Sequence, residues 1–176
     1  MKSRSVGLFS ALLAVVAVAW PVMAQPPLTR NFVAHLSGDE EVPARETLAQ
    51  GQAIFHLSAD GTQLDYTLIV ADIENVVAAH IHVGAQGVNG PVVAFLFGPA
   101  APGGGQEEGV LAQGTITADD LVGPLAGQPL SALIAAMRAG NTYVNVHTND
   151  GVAPPDTGPG DFPGGEIRGQ IDPAGS

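Results

Sequence analysis

The stretch "AAHIHVGAQGVNGPVV", residues 78–93, sets His80 and His82 either side of one isoleucine in a chain with five histidines. A third, His147, stands next to last in the run "NTYVNVHT". On an extended strand, residues i and i+2 share a face, so His80 and His82 project together while Ala79, Ile81 and Val83 line the other side. The same rule puts Tyr143, Asn145 and His147 on one face. Were these two strands neighbours, three imidazoles would converge. Imidazole nitrogen suits copper, zinc or nickel, and three donors leave a fourth position for water or another ligand. The same side chains also have a structural use, in which each ring bonds a backbone carbonyl or a carboxylate and braces a loop.

Other polar residues are weighed against this trio. Asn145, Glu166 and Arg168 are the candidate supporting groups. Glu166 and Arg168 stand two apart in "GEIRGQI" and share a face. Arg168 is one of few basic residues and is expected to pair with a carboxylate, Glu41 or Glu166. That pair would brace the sheet, or Arg168 would guide an anion to a metal. His35 and His56 fall in early alternating runs and read as solvent-facing. Asp150, Asp156, Asp161 and Glu166 crowd a late loop, where oxygen ligands would suit calcium, but their spacing matches no calcium-loop pattern. The glycines of "VGAQGVNGP" precede no helix and have no lysine beside them, so they read as loop geometry rather than an anion cradle. The chain has no cysteine, which removes thiolate ligands, thiol nucleophiles and disulfides. Ser37, Ser58, Ser131 and Ser176 sit in no nucleophile motif. No catalytic residue is assigned.

The elements that must position these residues are strands. Apolar residues recur at every second position, the period of a half-buried strand. Phe32, Ala34 and Leu36 alternate in "NFVAHLS", Ala53, Phe55 and Leu57 in "GQAIFHLSA", and Leu64, Tyr66, Leu68 and Val70 in "TQLDYTLIV". Asp60-Gly61 between the last two predicts a hairpin. "VVAAHIHV", "GPVVAFLF", "GVLAQGTIT", "NTYVNVHT" and "GEIRGQI" complete about eight strands, the signature of an antiparallel sandwich or barrel. One segment differs. "PLSALIAAMRAGN" spaces Leu130, Leu133, Ile134 and Met137 helically, starts at Pro129 and stops at Gly140, predicting a short helix over 129–139. Thr117 ahead of Asp119 and Asp120 has the pattern of an N-cap.

The N-terminus carries Lys2 and Arg4, then an apolar run from Val6 to Trp20, then Val22-Met23-Ala24. This is the pattern of a secretory signal peptide, residues 1–24, cleaved after Ala24. The remaining residues, 25–176, suit a single domain, secreted or periplasmic, with no integral membrane segment after cleavage. With 17 acidic and 6 basic residues the chain has a net charge of −11, and losing Lys2 and Arg4 makes it more acidic still. Such a surface repels phosphate backbones and anionic lipid. Nucleic acid is therefore excluded as a partner, and a cation or a protein is the expected one.

"HIHVGAQGVNGPVV", "AGNTYVNVHT", "GGEIRGQI" and the early "LSGDEEVPARETLAQGQAIFHLSADGTQLDYTLIV" together resemble the CHRD domain, first named in chordin and found in many bacterial secreted proteins. The resemblance runs from about Phe32 to Ile171. It implies an antiparallel Greek-key β-sandwich of immunoglobulin-like type, acting as a non-enzymatic binding or structural module of the cell envelope. The order of a His-x-His strand, a later strand ending in Val-His, a glycine-rich loop and a closing strand is also similar to copper–zinc superoxide dismutases. There His80, His82 and His147 fall on three copper-ligand positions, which implies a copper- or zinc-binding alternative. The glycine loop lacks the bridging histidine of that family, and its zinc-ligand cluster and cysteines are absent.

Overall fold

The computed structural model describes residues 29–175. The expected leader, 1–24, lies outside the described residues. The elements are β1 (Asn31–Ser37), β2 (Gln50–Leu57), β3 (Leu64–Glu74), β4 (Val76–Val83), β5 (Val92–Phe97), β6 (Gln106–Ile116), α1 (Leu130–Arg138), β7 (Thr142–Thr148), β8 (Ile167–Gln170) and the two-residue β9 (Asp172–Pro173). Each of the eight expected runs forms a strand. β9 is an addition, too short to leave a periodic signal.

The alternation in sequence becomes inside and outside. Phe32, Ala34 and Leu36 on β1, Ala53, Phe55 and Leu57 on β2, and Leu64, Leu68 and Val70 on β3 are buried in one core. Their neighbours on the other face are mostly half-buried or exposed, His35 and His56 among the exposed ones. β2 and β3 pair in continuous register from Gln50↔Ala71 to Leu57↔Leu64, the hairpin that Asp60-Gly61 predicts. Asp60 accepts from the backbone and hydroxyl of Thr62 and Gly61 takes φ +74°, a left-handed conformation that glycine adopts freely.

The strands make one antiparallel sheet in the order β5-β4-β7-β8-β1-β2-β3-β6. The sheet curls until its two edge strands, β5 and β6, come into contact, giving a nearly closed barrel. The all-β antiparallel class is as expected, but two stacked sheets of immunoglobulin-like Greek-key type are a finer description that this single strand path does not carry. At the seam, the phenol of Tyr66 on β3 donates to the carbonyl of Leu96 on β5 at 2.8 Å. It reaches that far because the β6 residue it crosses is Gly114, where a Cβ would press against the ring. Irregular register between β3 and β6, at Leu68/Ile69 and Val70/Ile73, bends the sheet toward closure, as bulges do.

Helix α1 begins after Pro129 and buries Leu130, Leu133, Ile134 and Met137 against the core, the residues picked out by helical spacing. Gly140, at φ +66°, stops it. The Thr117 cap is real, with Thr117 Oγ1 accepting from the backbone of Asp119 and Asp120 returning the bond, but it closes a 3-10 turn, Ala118–Asp120, rather than opening a longer helix. No helix among the described residues is long and apolar enough to cross a membrane.

β7 departs from alternation. Six of its seven residues are buried and His147 is half-buried, because β7 lies between β4 and β8 while the loops around 84–90 and 149–165 cover its outer side. Tyr143, Asn145 and His147 are thereby largely taken out of water without leaving the outer face.

Candidate metal centre

β4 and β7 are neighbours, as the convergence of the histidines requires. Their register sets His80 opposite Asn145, His82 opposite Tyr143 and Ala78 opposite His147. Opposed residues of an antiparallel pair share a face, so His80, His82, Tyr143, Asn145 and His147 all point outward from the barrel, with His147 diagonal to His80. Ala79 and Ile81 point into the core and are fully buried, which pins the register and with it the direction of both histidines.

One nitrogen from each ring lies within 4.8 Å of the other two, the one His/Cys/Asp/Glu group among the described residues arranged to hold an ion. His80 Nδ1 and His147 Nε2 stand 3.1 Å apart. Imidazole–metal bonds of about 2.0–2.1 Å place donors about 3–4 Å from one another, so this pair is already at ligand spacing and the widest pair needs a closure of about 1 Å.

The remaining ring nitrogens fix the tautomers. His147 Nδ1–H donates to the carbonyl of Pro163 at 2.9 Å, and His82 Nδ1–H donates to the carbonyl of Gly90 at 2.8 Å. A neutral imidazole with one nitrogen so engaged presents a lone pair on the other. That is the outer-shell arrangement which orients metal-ligating histidines. His82 Nε2 is buried with no protein hydrogen-bond partner, a costly state for a polar atom, of about 1–3 kcal/mol, unless something binds it.

The rings are held neutral. Burial, with the neighbouring charges of His147 and His82, pushes His80 down to about 4. Burial likewise lowers His82, where the bond to Gly90 and the nearby Asn145 amide oppose it and the charge of Arg168 reinforces it. His147 is lowered by burial against the opposing bond to Pro163, with the charge of His82 adding to the lowering. Neutral imidazole is the ligating form.

Around the trio lies an aromatic and polar shell. Phe95 on β5, half exposed, meets the His80 ring edge-on at 4.9 Å between centroids. Tyr143 stacks on His82 at 4.7 Å and 9°, and its hydroxyl accepts from the backbone of Gly90 at 3.0 Å. The guanidinium of Arg168 lies 3.4 Å from the centre of the Tyr143 ring. The surface depressions at His35, Gln50 and Gln52, and at Pro102, Asn149 and Val152, lie away from the trio.

The CHRD domain description matches residues 32–155, well over half of the chain and inclusive of all three histidines. The chain belongs to the CHRD domain family. Comparison with curated proteins gives no match.

In this CHRD domain the supporting residues divide. Asn145, buried, lies beside His82 and Glu41. Glu166 is absent from the centre: its carboxylate accepts from Thr47 Oγ1 at 2.6 Å, Thr148 Oγ1 at 2.6 Å and the backbone of Gly160 at 2.9 Å, tying down the loop that carries Pro163. The expected ion pair of Arg168 with Glu41 or Glu166 does not form. Among the described residues the one ion pair is Arg45–Asp156 at 3.0 Å. Arg168 instead donates to Asn89 Oδ1 and to the carbonyls of Ala85 and Val88, because a buried guanidinium needs several acceptors in its plane and the glycine loop supplies them. At 1 % exposure it is no anion guide. The late acids are scattered too, Asp161 accepting from Thr157 and Asp156 pairing with Arg45.

Sequence reasoning missed the Gly90 and Pro163 carbonyls, which carry no side-chain signal. It also missed the burial of Glu41, whose Oε1 has no hydrogen-bond partner among the described residues and whose pKa burial pushes up to about 7 against the Val42 backbone and the charges of Arg168 and Arg45.

Proposed function

We propose that this CHRD domain is a non-enzymatic module of the cell envelope that binds one copper or zinc ion through His80, His82 and His147. The observation that carries the reading is the meeting of three imidazoles: His82 and His147 are each turned by a bond from Nδ1–H to a backbone carbonyl, and one nitrogen of each of the three rings lies within 4.8 Å of the other two. Three neutral donors and an outer edge bounded by a half-exposed phenylalanine suit an ion held with a position to spare. Secretion is part of the proposal and rests on the leader pattern of residues 1–24. The bridging histidine and zinc cluster of the dismutases have no counterpart here, so no dismutase chemistry is proposed.

The test is elemental analysis of protein purified from cells supplied with copper and zinc, beside a His80→Ala/His82→Ala variant. About one equivalent of metal in the parent and its loss in the variant is the expected result. Equal metal content in the two would overturn it and leave the imidazoles as loop braces, a role that their bonds to Gly90 and Pro163 also support. N-terminal sequencing of the exported protein should begin at Gln25.

A further inference from the structure

We propose that the histidine centre prefers the cuprous ion to cupric copper or zinc, because a buried guanidinium with no carboxylate partner stands behind one of its rings. This rests on the metal-binding reading and adds the charge of the ion. The order of the stack follows from the sheet. β7 lies between β4 and β8, so Tyr143 separates His82 on β4 from Arg168 on β8, with His82 stacked on the phenol at 4.7 Å and the guanidinium carbon 3.4 Å from the same ring. Arg168 is 1 % exposed and its hydrogen bonds go to neutral groups, Asn89 Oδ1 and the carbonyls of Ala85 and Val88. Its charge is therefore neither screened by water nor cancelled by an ion pair.

Going from a monovalent to a divalent ion adds one positive charge at a desolvated point facing that fixed cation. The three imidazoles are neutral and offset none of it. The carboxyl placed to do so is Glu41, beside Asn145 and within reach of the field of Arg168. At neutral pH, however, burial keeps a substantial share of it protonated. Coordination number permits the same choice: cuprous ion is satisfied by three nitrogen donors, whereas zinc or cupric copper would draw a fourth ligand such as water into the spare position.

The experiment compares affinities within each variant, so that a general loss of stability cancels. Purified protein is titrated anaerobically with Cu(I) against bicinchoninate, and with Cu(II) and Zn(II) against nitrilotriacetate. Asn89→Asp keeps Arg168 and sets a carboxylate at the atom that now accepts its hydrogen bond at 3.0 Å. Arg168→Gln removes the charge, and Arg168→Lys retains it. The ratio of Cu(I) to Cu(II) affinity should fall about tenfold in Asn89→Asp and Arg168→Gln, equivalent to a reduction potential about 59 mV lower for one electron, and hold in Arg168→Lys. Copper bound with the same ratio in Asn89→Asp and Arg168→Gln as in the parent would overturn the proposal and leave the metal centre standing. So would retention of zinc in preference to Cu(I). Failure to bind either metal would overturn both.

Discussion

His80 Nδ1 and His147 Nε2 stand 3.1 Å apart although 67 positions separate them in the chain. The contact depends on one ladder, β4 with β7, and on the loop carbonyl that turns His147 toward it. His147→Ala removes one of the three proposed ligands without touching the core, whose residues point the other way. Metal affinity is expected to fall by about 100-fold or more, while the melting temperature of the metal-free protein stays within about 4 °C of the parent. Chelator competition and a thermal melt read the two separately. A metal affinity equal to the parent's would show that His147 is a brace and not a ligand.

Glu41 predicts a pH dependence of definite sign. Its folded pKa, about 7, lies above the ordinary 4.5, so the folded protein binds the extra proton between those values. Its contribution to stability is fully present below pH 4.5 and is lost as pH rises through 7. The full shift corresponds to about 3 kcal/mol. The histidines, held below their ordinary range, act with the opposite sign, so the comparison must be with Glu41→Gln. Urea unfolding at pH 5 and pH 8 should show the parent losing stability relative to this variant across the interval. Parallel changes in both proteins would rule out Glu41 as the source.

Gly90 sits where backbone crowds backbone. A Cβ there would run into the carbonyl of Val83, and the displaced loop holds both the acceptor for His82 and the acceptors for Arg168. Gly90→Ala should cost about 2–4 kcal/mol in urea unfolding and weaken metal binding in the same protein. Gly87, also in this loop, has open space around its Cβ position and φ +74°, so alanine there carries the backbone cost of about 1–2 kcal/mol but no collision. Alanine there should weaken metal binding far less than at Gly90.

Glu166 is buried and satisfies three donors at once. Truncating it orphans Thr47, Thr148 and the Gly160 amide together, so Glu166→Ala should destabilise by about 3–5 kcal/mol. Thr148 also accepts from the backbone of Phe162 at 3.0 Å, so the loss should reach the Pro163 turn. Faster backbone amide exchange over residues 157–165 is the accompanying sign. Exchange rates unchanged in that loop would show that Glu166 does not anchor it.

The strands and α1 were legible because their signal is periodic and local: Phe32, Ala34 and Leu36 declare a face by spacing alone, as Leu130, Leu133, Ile134 and Met137 declare a helical stripe. The histidine faces followed from the same rule. What spacing does not specify is which strands adjoin, so the meeting of His147 with His80 was conditional in the sequence and settled by the ladder. Arg168 shows why the rest was hidden. Counting charges predicted a carboxylate partner, but a folded loop offers main-chain oxygens that no residue type announces. Alternation left sandwich and barrel open, and the features at the seam, the irregular β3–β6 register and the phenol of Tyr66 above Gly114, have no periodic signal.

The bond from Tyr66 to Leu96 has a consequence beyond the shape of the barrel. A curled sheet that stopped short would leave two open margins, each a row of unpaired amides and carbonyls able to recruit a strand from another molecule. Here the margins face one another, and the phenol latches them. A chain whose sheet closes in this way offers no long free margin from which to polymerise edge to edge.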